Sequence, residues 1–302
     1  MGVNTTDVSI VIVNYNTYNL TQACIESIYK RTKGVDFEVI VVENDSKDDS
    51  VIKFRNDSRI SLIESNKNLG FGRANNLGVK KAKGRYVFFL NSDTILLNNA
   101  VKLMADFMDE HGKRLGIGGL GCLLTGSDGK RTHSYAPFPR MGRVLKDEWG
   151  DHFLKRFGRR MKRLEEGISI DESMTYFPVN YVTGADLFVA RETINRYGSF
   201  DPDFFMYYEE AEMQYRWYKN GLKSYILCSP QIVHLEGGSQ RKASVQKQLT
   251  QLKSMFIYFK KTNSRWKYTF FRLAFGIGRF LTFPFQKMKI NERCEYLKLI
   301  IS

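Results

Sequence analysis

Apolar and β-branched residues gather in three short runs, Val8–Val13, Phe37–Val42 and Tyr86–Leu90, interrupted only by Ser9 and Glu38 and each followed at once by polar residues. Runs of this kind predict strands buried on both faces. Between them the apolar positions take helical spacing. Leu20, Ala23, Cys24, Ser27 and Ile28 share one face of the first segment, and Ala74, Leu77, Gly78 and Ala82 share one face of a later one. Strand–helix alternation predicts an α/β fold, a Rossmann-like, mostly parallel sheet with right-handed crossovers and flanking helices. Ligands of such sheets collect outside the carboxyl ends of the strands, where Asn14-Tyr15-Asn16, Glu43-Asn44-Asp45 and Asn91-Ser92-Asp93 all fall.

Further along, Asn98–His111 has a helical pattern, and Ile117–Leu124 with the Asp128-Gly129 turn reads as a strand entering a hairpin. Regular alternation then stops, and the basic, poorly periodic stretch from Pro137 to Thr175 predicts a mobile or helical flap over the sheet edge. Order resumes at Tyr181–Ala185, continues through the apolar Leu187–Ala190, and ends in a helix over Glu209–Asn220 that Gly221 would cap. From Met255 to Phe285 the chain is rich in Phe, Tyr, Trp and Leu, with Arg265, Arg272 and Arg279 recurring every seventh residue on one helical face. The arginines leave no run of about 18 uncharged apolar residues, so a membrane span is not expected. A basic amphipathic helix in the headgroup region is expected instead, the alternative being a C-terminal helix packed on the domain with its basic face in water. The chain thus divides into 1–240, with a nucleotide-binding half (1–125) and an acceptor-binding half (126–240), and a helical extension over 241–302.

Charge and cysteine usage narrow the setting. The net charge of +14 resides in Lys130–Glu166 and Met255–Ser302, and the remainder is neutral. Two local basic surfaces suit anionic lipid or phosphorylated ligands, and no nucleic acid is expected. Cys24, Cys122, Cys228 and Cys294 match neither a zinc spacing nor a disulfide framework. The opening residues have no basic region before the first strand and do not read as a signal peptide. The expectation is a cytoplasmic protein, peripheral on the inner face of the cell membrane.

Asn91-Ser92-Asp93 offers a carboxylate at a strand end, able to hold a divalent cation against a diphosphate, although a plain turn explains the string as well. Glu43 and Asn44 suit a base edge and ribose hydroxyls, while Asp45 or Ser46 would equally cap a helix over Lys47–Phe54. The segment NKNLGFGRANNLG, with Asn68, Gly70, Phe71 and Asn75, could present backbone N–H groups to phosphate or be ordinary loop chemistry. Glu209, Glu210 and Glu212 open a helix, where the dipole favours carboxylates. The aromatic run before them would raise a carboxyl's pKa and suit it to accept a proton. His234, after Ile232-Val233, is either a structural histidine or a metal ligand.

Assembled in order, VSIVIVNYNT, VVENDS, NKNLGFGRANNLG, FFLNSDT, VTGADLFVAR, FDPDFFMYYEEAEMQYRWYKNG and VHLEGGS resemble the motifs of the inverting family 2 glycosyltransferases of the GT-A fold, particularly their rhamnosyltransferase-like branch. The resemblance runs from Val8 to about Ser239. It implies a UDP- or dTDP-linked sugar donor, a divalent cation (Mn2+ or Mg2+), and a saccharide or polyprenyl-diphosphate-linked acceptor in cell-surface polysaccharide synthesis. It further implies that Asn14, Tyr15 and Asn16 line the nucleotide pocket, with Glu43 and Asn44 facing base and ribose. Asn91 and Asp93 stand where the family has its D-x-D motif, Asn replacing the first Asp. Asp93 would be the metal carboxylate, and His234 a further ligand. Glu210 matches the general base, often Asp in the family, with Glu209 a second candidate and Glu212 a helix support. Gly184, Ala185 and Asp186 would form a loop touching donor sugar or acceptor.

Three other readings compete. A dehydrogenase lacks its G-x-G-x-x-G turn after the first strand. A sugar nucleotidyltransferase would share fold style and metal, but not the second acidic helix and the tail. A non-catalytic saccharide- or nucleic-acid-binding module has only the basic segments in its favour.

Overall fold

The computed structural model describes residues 6–156, 174–235, 245–282 and 290–301. They fall into two compact units, one of Met1–Phe138 with Ser173–Lys242 and one of Pro139–Glu172 with Ala243–Ser302. The segment that the sequence suggests as a flap thus groups with the C-terminal helices, and of it residues 157–173 lie outside the described ones.

In the first unit, β1 (Val8–Asn14), α1 (Tyr18–Arg31), β2 (Phe37–Asn44), α2 (Ser50–Arg55), β3 (Ile60–Ser65), α3 (Phe71–Lys81) and β4 (Tyr86–Leu90) alternate. β1 pairs parallel with β2 on one side and with β4 on the other, and β3 extends the sheet beyond β2. The strand order reverses between β1 and β4, which opens a crevice at their carboxyl ends. The short β5 (Thr94–Leu96), α4 (Ala100–Leu115) and β6 (Ile117–Cys122) follow. A tight turn with Gly129 at φ 75° brings Thr125 to Arg131 as the expected hairpin.

The remaining elements of this unit are β7 (Tyr135–Ala136), β8 (Tyr176–Val179), β9 (Tyr181–Val182), β10 (Asp186–Ala190), α6 (Arg191–Tyr197), α7 (Glu209–Lys219), β11 (Lys223–Leu227) and β12 (Ile232–His234). The main sheet has eight strands in the order β3-β2-β1-β4-β10-β6-β11-β8. β10 runs antiparallel to β4 and β6, and β8 antiparallel to β11, so the sheet is mixed rather than uniformly parallel. Its core joins Ile10, Val41, Phe88, Phe188 and Leu120 of the strands to Ile25 and Met104 of the helices. The sequence reading passes over β3, because this edge strand is only half-buried and its ISLIES pattern has no unbroken apolar run. α2 begins at Ser50, not Lys47, so neither Asp45 nor Ser46 caps it.

The second unit holds α5 (Met141–Arg156), α8 (Val245–Thr262), α9 (Arg265–Thr282) and α10 (Ile290–Ile301). Phe256 and Phe259 of α8 meet Phe271 and Phe275 of α9 ring to ring, with centroids 4.8 to 6.3 Å apart. Here the arginines depart from expectation. Arg272 lies 3.9 Å over the Phe256 ring and donates to the carbonyls of Leu299 (2.7 Å) and Ile300 (3.1 Å) at the end of α10. Arg279 pairs at 2.8 Å with the buried Glu148 of α5. Two arginines of the supposed outer face therefore point inward. A seven-residue spacing fixes a common side of a helix but not which way that side turns.

Candidate active site

At the end of β1, Asn14 is fully buried and its amide is committed: Nδ2 donates to Glu43 (3.2 Å) and Ser46 (3.1 Å), and Oδ1 accepts from Thr17 (3.1 Å) and Thr21 (2.7 Å). The Glu43 carboxylate at the end of β2 also accepts the Ser46 backbone N–H and hydroxyl. Asn44 accepts the Leu69 N–H at 2.9 Å and donates to Asn68 and to the Gly70 carbonyl. Asn14, Glu43 and Asn44, the residues expected to line the nucleotide pocket and to face base and ribose, are buried and spend these polar atoms on protein partners, as buried amides and carboxylates do. Tyr15 (37% exposed) and Asn16 form the accessible lip of the crevice, Asn16 at φ 55° accepting the Lys47 N–H.

The Asn/Gly-rich turn before α3 also spends its donors internally. Gly70 N–H reaches Asn68 Oδ1 at 2.9 Å, and Phe71 N–H reaches the Phe205 carbonyl at 2.9 Å. Asn75 is buried, its amide bonded to the Phe71 carbonyl. The expectation that this turn offers N–H groups to phosphate fails for Leu69, Gly70 and Phe71. They fasten the turn to β2 and to the loop before α7 instead.

The β5–β12 pairing brings Thr94 opposite His234 and so sets the histidine beside the strand-end motif. His234 Nε2 lies 3.2 Å from Asp93 Oδ1 and 3.4 Å from Asn91 Nδ2. The Asn91 N–H donates to the Ala185 carbonyl at 2.9 Å, and Ser92 Oγ lies 3.3 Å from Thr17 Oγ1. Neighbouring ligands of a six-coordinate cation with bonds near 2.0–2.1 Å stand about 3 Å apart, so the Asp93–His234 pair fits one, with the amide of Asn91 alongside. Among the described residues no group of three His, Cys, Asp or Glu side chains gathers for a metal. A cation here would complete its shell with phosphate and water oxygens.

The carboxylates stand at the amino end of α7. Tyr207 and Tyr208 precede them at φ 72° and 68°, a left-handed pair that only a firmly packed surrounding sustains. Glu210 is half-buried, with its Cβ 4.0 Å from where a Cβ on Gly184 would lie; the same position is 3.0 Å from the Phe71 ring. Glu209 is buried and turns the other way, its Cβ 3.6 Å from the Cβ position of Gly72 in α3. Burial raises the pKa of Glu210 against the opposing backbone N–H groups of Glu210 and Ala211; burial and the Glu210 charge raise that of Glu209. Glu212 holds Arg216 at 2.8 Å, in its expected supporting role. The loop Gly184-Ala185 joins the two halves of the site: Gly184 adjoins Glu210, and the next residue's carbonyl holds Asn91.

Asp186 is not a loop residue. It opens β10 opposite Leu90, is fully buried, and accepts the Cys122 N–H at 2.6 Å. Burial pushes its pKa up to about 7, partly offset by that N–H. Ala185 is likewise buried. Gln214 escapes the sequence reading: it clamps β9 from α7, donating to the Val182 carbonyl (2.7 Å) and accepting the Val182 N–H (2.9 Å) and the Ser224 hydroxyl (2.9 Å). Its only signal is its place four residues after Glu210, on the same helical face.

The sheet, whose strand order reverses between β1 and β4, has the GT-A fold. Residues 9–179 match the sequence profile of glycosyl transferase family 2, and the chain belongs to that family. Over 104 residues it is 35% identical to a UDP-Glc:alpha-D-GlcNAc-diphosphoundecaprenol beta-1,3-glucosyltransferase of Escherichia coli, covering 33% of this chain and 40% of that one. In structure it is similar to the Staphylococcus aureus TarS fragment 1–349 in complex with UDP-GlcNAc (TM-score 0.56, 18% identity, 97% of this chain and 79% of that one). It is similar also to GalNAc-T7 with UDP, GalNAc and Mn2+ (TM-score 0.59, 18% identity, 99% of this chain and 54% of that one). The alignments span between 15% and 41% of the length of the curated relatives.

Proposed function

We propose that this protein is an inverting glycosyltransferase that moves a sugar from a uridine or thymidine diphosphate to a hydroxyl of a saccharide carried on a polyprenyl diphosphate. The observation carrying this reading is the Asp93–His234 pair beside Asn91, just after β4 where the strand order reverses, with the Asn91 N–H bonded to the Ala185 carbonyl and Gly184 next to Glu210. The TarS and Escherichia coli relatives, named for UDP-GlcNAc and for UDP-Glc with a diphosphoundecaprenol acceptor, support donor and acceptor class. The resemblance to the rhamnosyltransferase-like branch adds a thymidine-linked deoxysugar to the donors worth testing.

In this reading Tyr15 and Asn16 border the nucleoside, while Asp93 and His234, with Asn91, are the residues that would hold a divalent cation. Such a cation supplies positive charge against that growing on the leaving group. Glu210 takes the acceptor hydroxyl proton as the oxygen attacks the anomeric carbon, and a single displacement inverts that centre. Its raised pKa places the base nearer neutrality. Glu209, turned into the protein, keeps the second charge out of the crevice by favouring its protonated form.

Thermal melting with nucleotides tests this, since a ligand of the native state raises the melting temperature. UDP or dTDP with Mn2+ is expected to stabilise the wild type, and neither nucleotide to do so once Asp93→Ala is made. Glu210→Gln should keep the stabilisation and lose turnover by about 10²–10⁴-fold. A chain indifferent to every nucleotide would defeat the reading; an active Glu210→Gln would take the base role from that residue. A lipid-linked acceptor also calls for contact with an anionic membrane surface, and α9 is the candidate element.

A further inference from the structure

With Arg272 and Arg279 turned inward, the outer side of α9 belongs to large apolar residues. Trp266 is 69% exposed, Phe270 68%, Leu273 63% and Ile277 56%. Their spacing of four, three and four residues keeps them within a narrow arc along the helix, opposite the buried Phe271 and Phe275. A helix held by one aromatic face and baring a second has a surface still to be covered.

Charge around the stripe indicates what covers it. Arg265 and Lys267 flank Trp266 on either side, and the Lys267 ammonium lies 5.4 Å from the indole. Lys260 and Lys261 end the preceding α8, both exposed. From Val245 to Thr282 the chain has eight Lys or Arg and no Asp or Glu. A second copy of this chain fits poorly, because a two-fold contact would set these cations against themselves. Nucleic acid fits poorly too, since Phe270, Leu273 and Ile277 offer a phosphate nothing. An indole with basic neighbours at one end and aliphatic side chains along one face is the pattern of a helix lying in the plane of an anionic bilayer. No helix among the described residues is long and apolar enough to cross a membrane.

We propose that α9 docks the protein on an anionic lipid bilayer, with Trp266, Phe270, Leu273 and Ile277 entering the headgroup–acyl boundary and Lys260, Lys261, Arg265 and Lys267 contacting lipid phosphates. This deepens the acceptor reading above, yet its test needs no turnover. The full chain is sedimented with vesicles of phosphatidylcholine alone and of phosphatidylcholine mixed with phosphatidylglycerol. Binding to the anionic vesicles should exceed binding to neutral ones by about tenfold or more, and fall with added salt. The double variant Phe270→Glu/Leu273→Glu should lose it by about tenfold or more, while its far-ultraviolet dichroism and its melting without vesicles stay those of the wild type, because both side chains are exposed. Trp266→Phe should still bind but lose most of the fluorescence quenching by brominated lipids. Undiminished binding by the double variant, or equal binding to neutral vesicles, overturns the proposal. A wild-type dimer in light scattering that the double variant converts to monomer also overturns it, by giving the face to a second copy. Nucleotide response is read separately without vesicles, so a failed donor assignment leaves this result standing.

Discussion

Asp186 is a carboxyl without solvent, held by one backbone donor beside the Cys122 thiol. Its native pKa of about 7 lies above the ordinary 3.8, so between those values the folded chain binds a proton that the unfolded chain has released. Its contribution to stability is therefore full below about pH 4 and is lost as pH rises through about 7. Asp186→Asn keeps an acceptor for the Cys122 N–H and removes the titration. Melting temperature followed from about pH 4 to pH 7.5 should fall more steeply in the wild type than in this variant. Parallel curves would mean that the native carboxylate is ionised and that burial is not its governing influence. Glu210 and Glu209 illustrate the same physics on adjacent residues: one helix step leaves the first half-buried and the second buried.

At the scale of the element, the positions of the proposed catalytic carboxylates are set by how turns fasten to one another. The amino end of α3 is closed by the Phe205 carbonyl, so the loop that leads to α7 and its carboxylates is tied to the loop after β3. Gly70 permits this: its φ is 79°, and a Cβ would overlap the Phe205 carbonyl group. Gly70→Ala is expected to destabilise by about 2 kcal/mol or more, from left-handed strain together with a lost buried hydrogen bond. Gly142→Ala in α5, where an added Cβ meets nothing within 4 Å, serves as the control and should be neutral or slightly stabilising. Urea unfolding of the two variants compares them; equal midpoints would show that the turn yields without loss. β12 acts similarly for the proposed metal pair, because its ladder with β5 carries His234 to Asp93.

For the molecule as a whole, the second unit is assembled from two distant stretches of chain. α5 gives up Glu148 to Arg279 of α9, a pairing more than a hundred residues apart, and the aromatic cluster of α8 and α9 stands beside it. A chain ended after residue 242 would strip α5 of that ion pair and of the helix α9 it packs against. Backbone amides of 141–148 should then exchange far faster, while those of β1 and β2 keep their protection. Retained protection over 141–148 would show that α5 has another anchor.

Much of this protein was legible because local pattern and buried environment agree. Val8–Val13, Phe37–Val42 and Tyr86–Leu90 are apolar but for Ser9 and Glu38, as central parallel strands require, and polar residues directly after them fall at the sheet's carboxyl edge. What spacing cannot state is direction. Whether Asn14 and Glu43 turn to a ligand or to each other, whether Asp186 lies in a loop or a strand, and whether Arg272 meets lipid or the end of α10 depend on contacts between residues far apart in the chain. Those contacts decide where each buried polar group finds its partner, and only the folded chain supplies the answer.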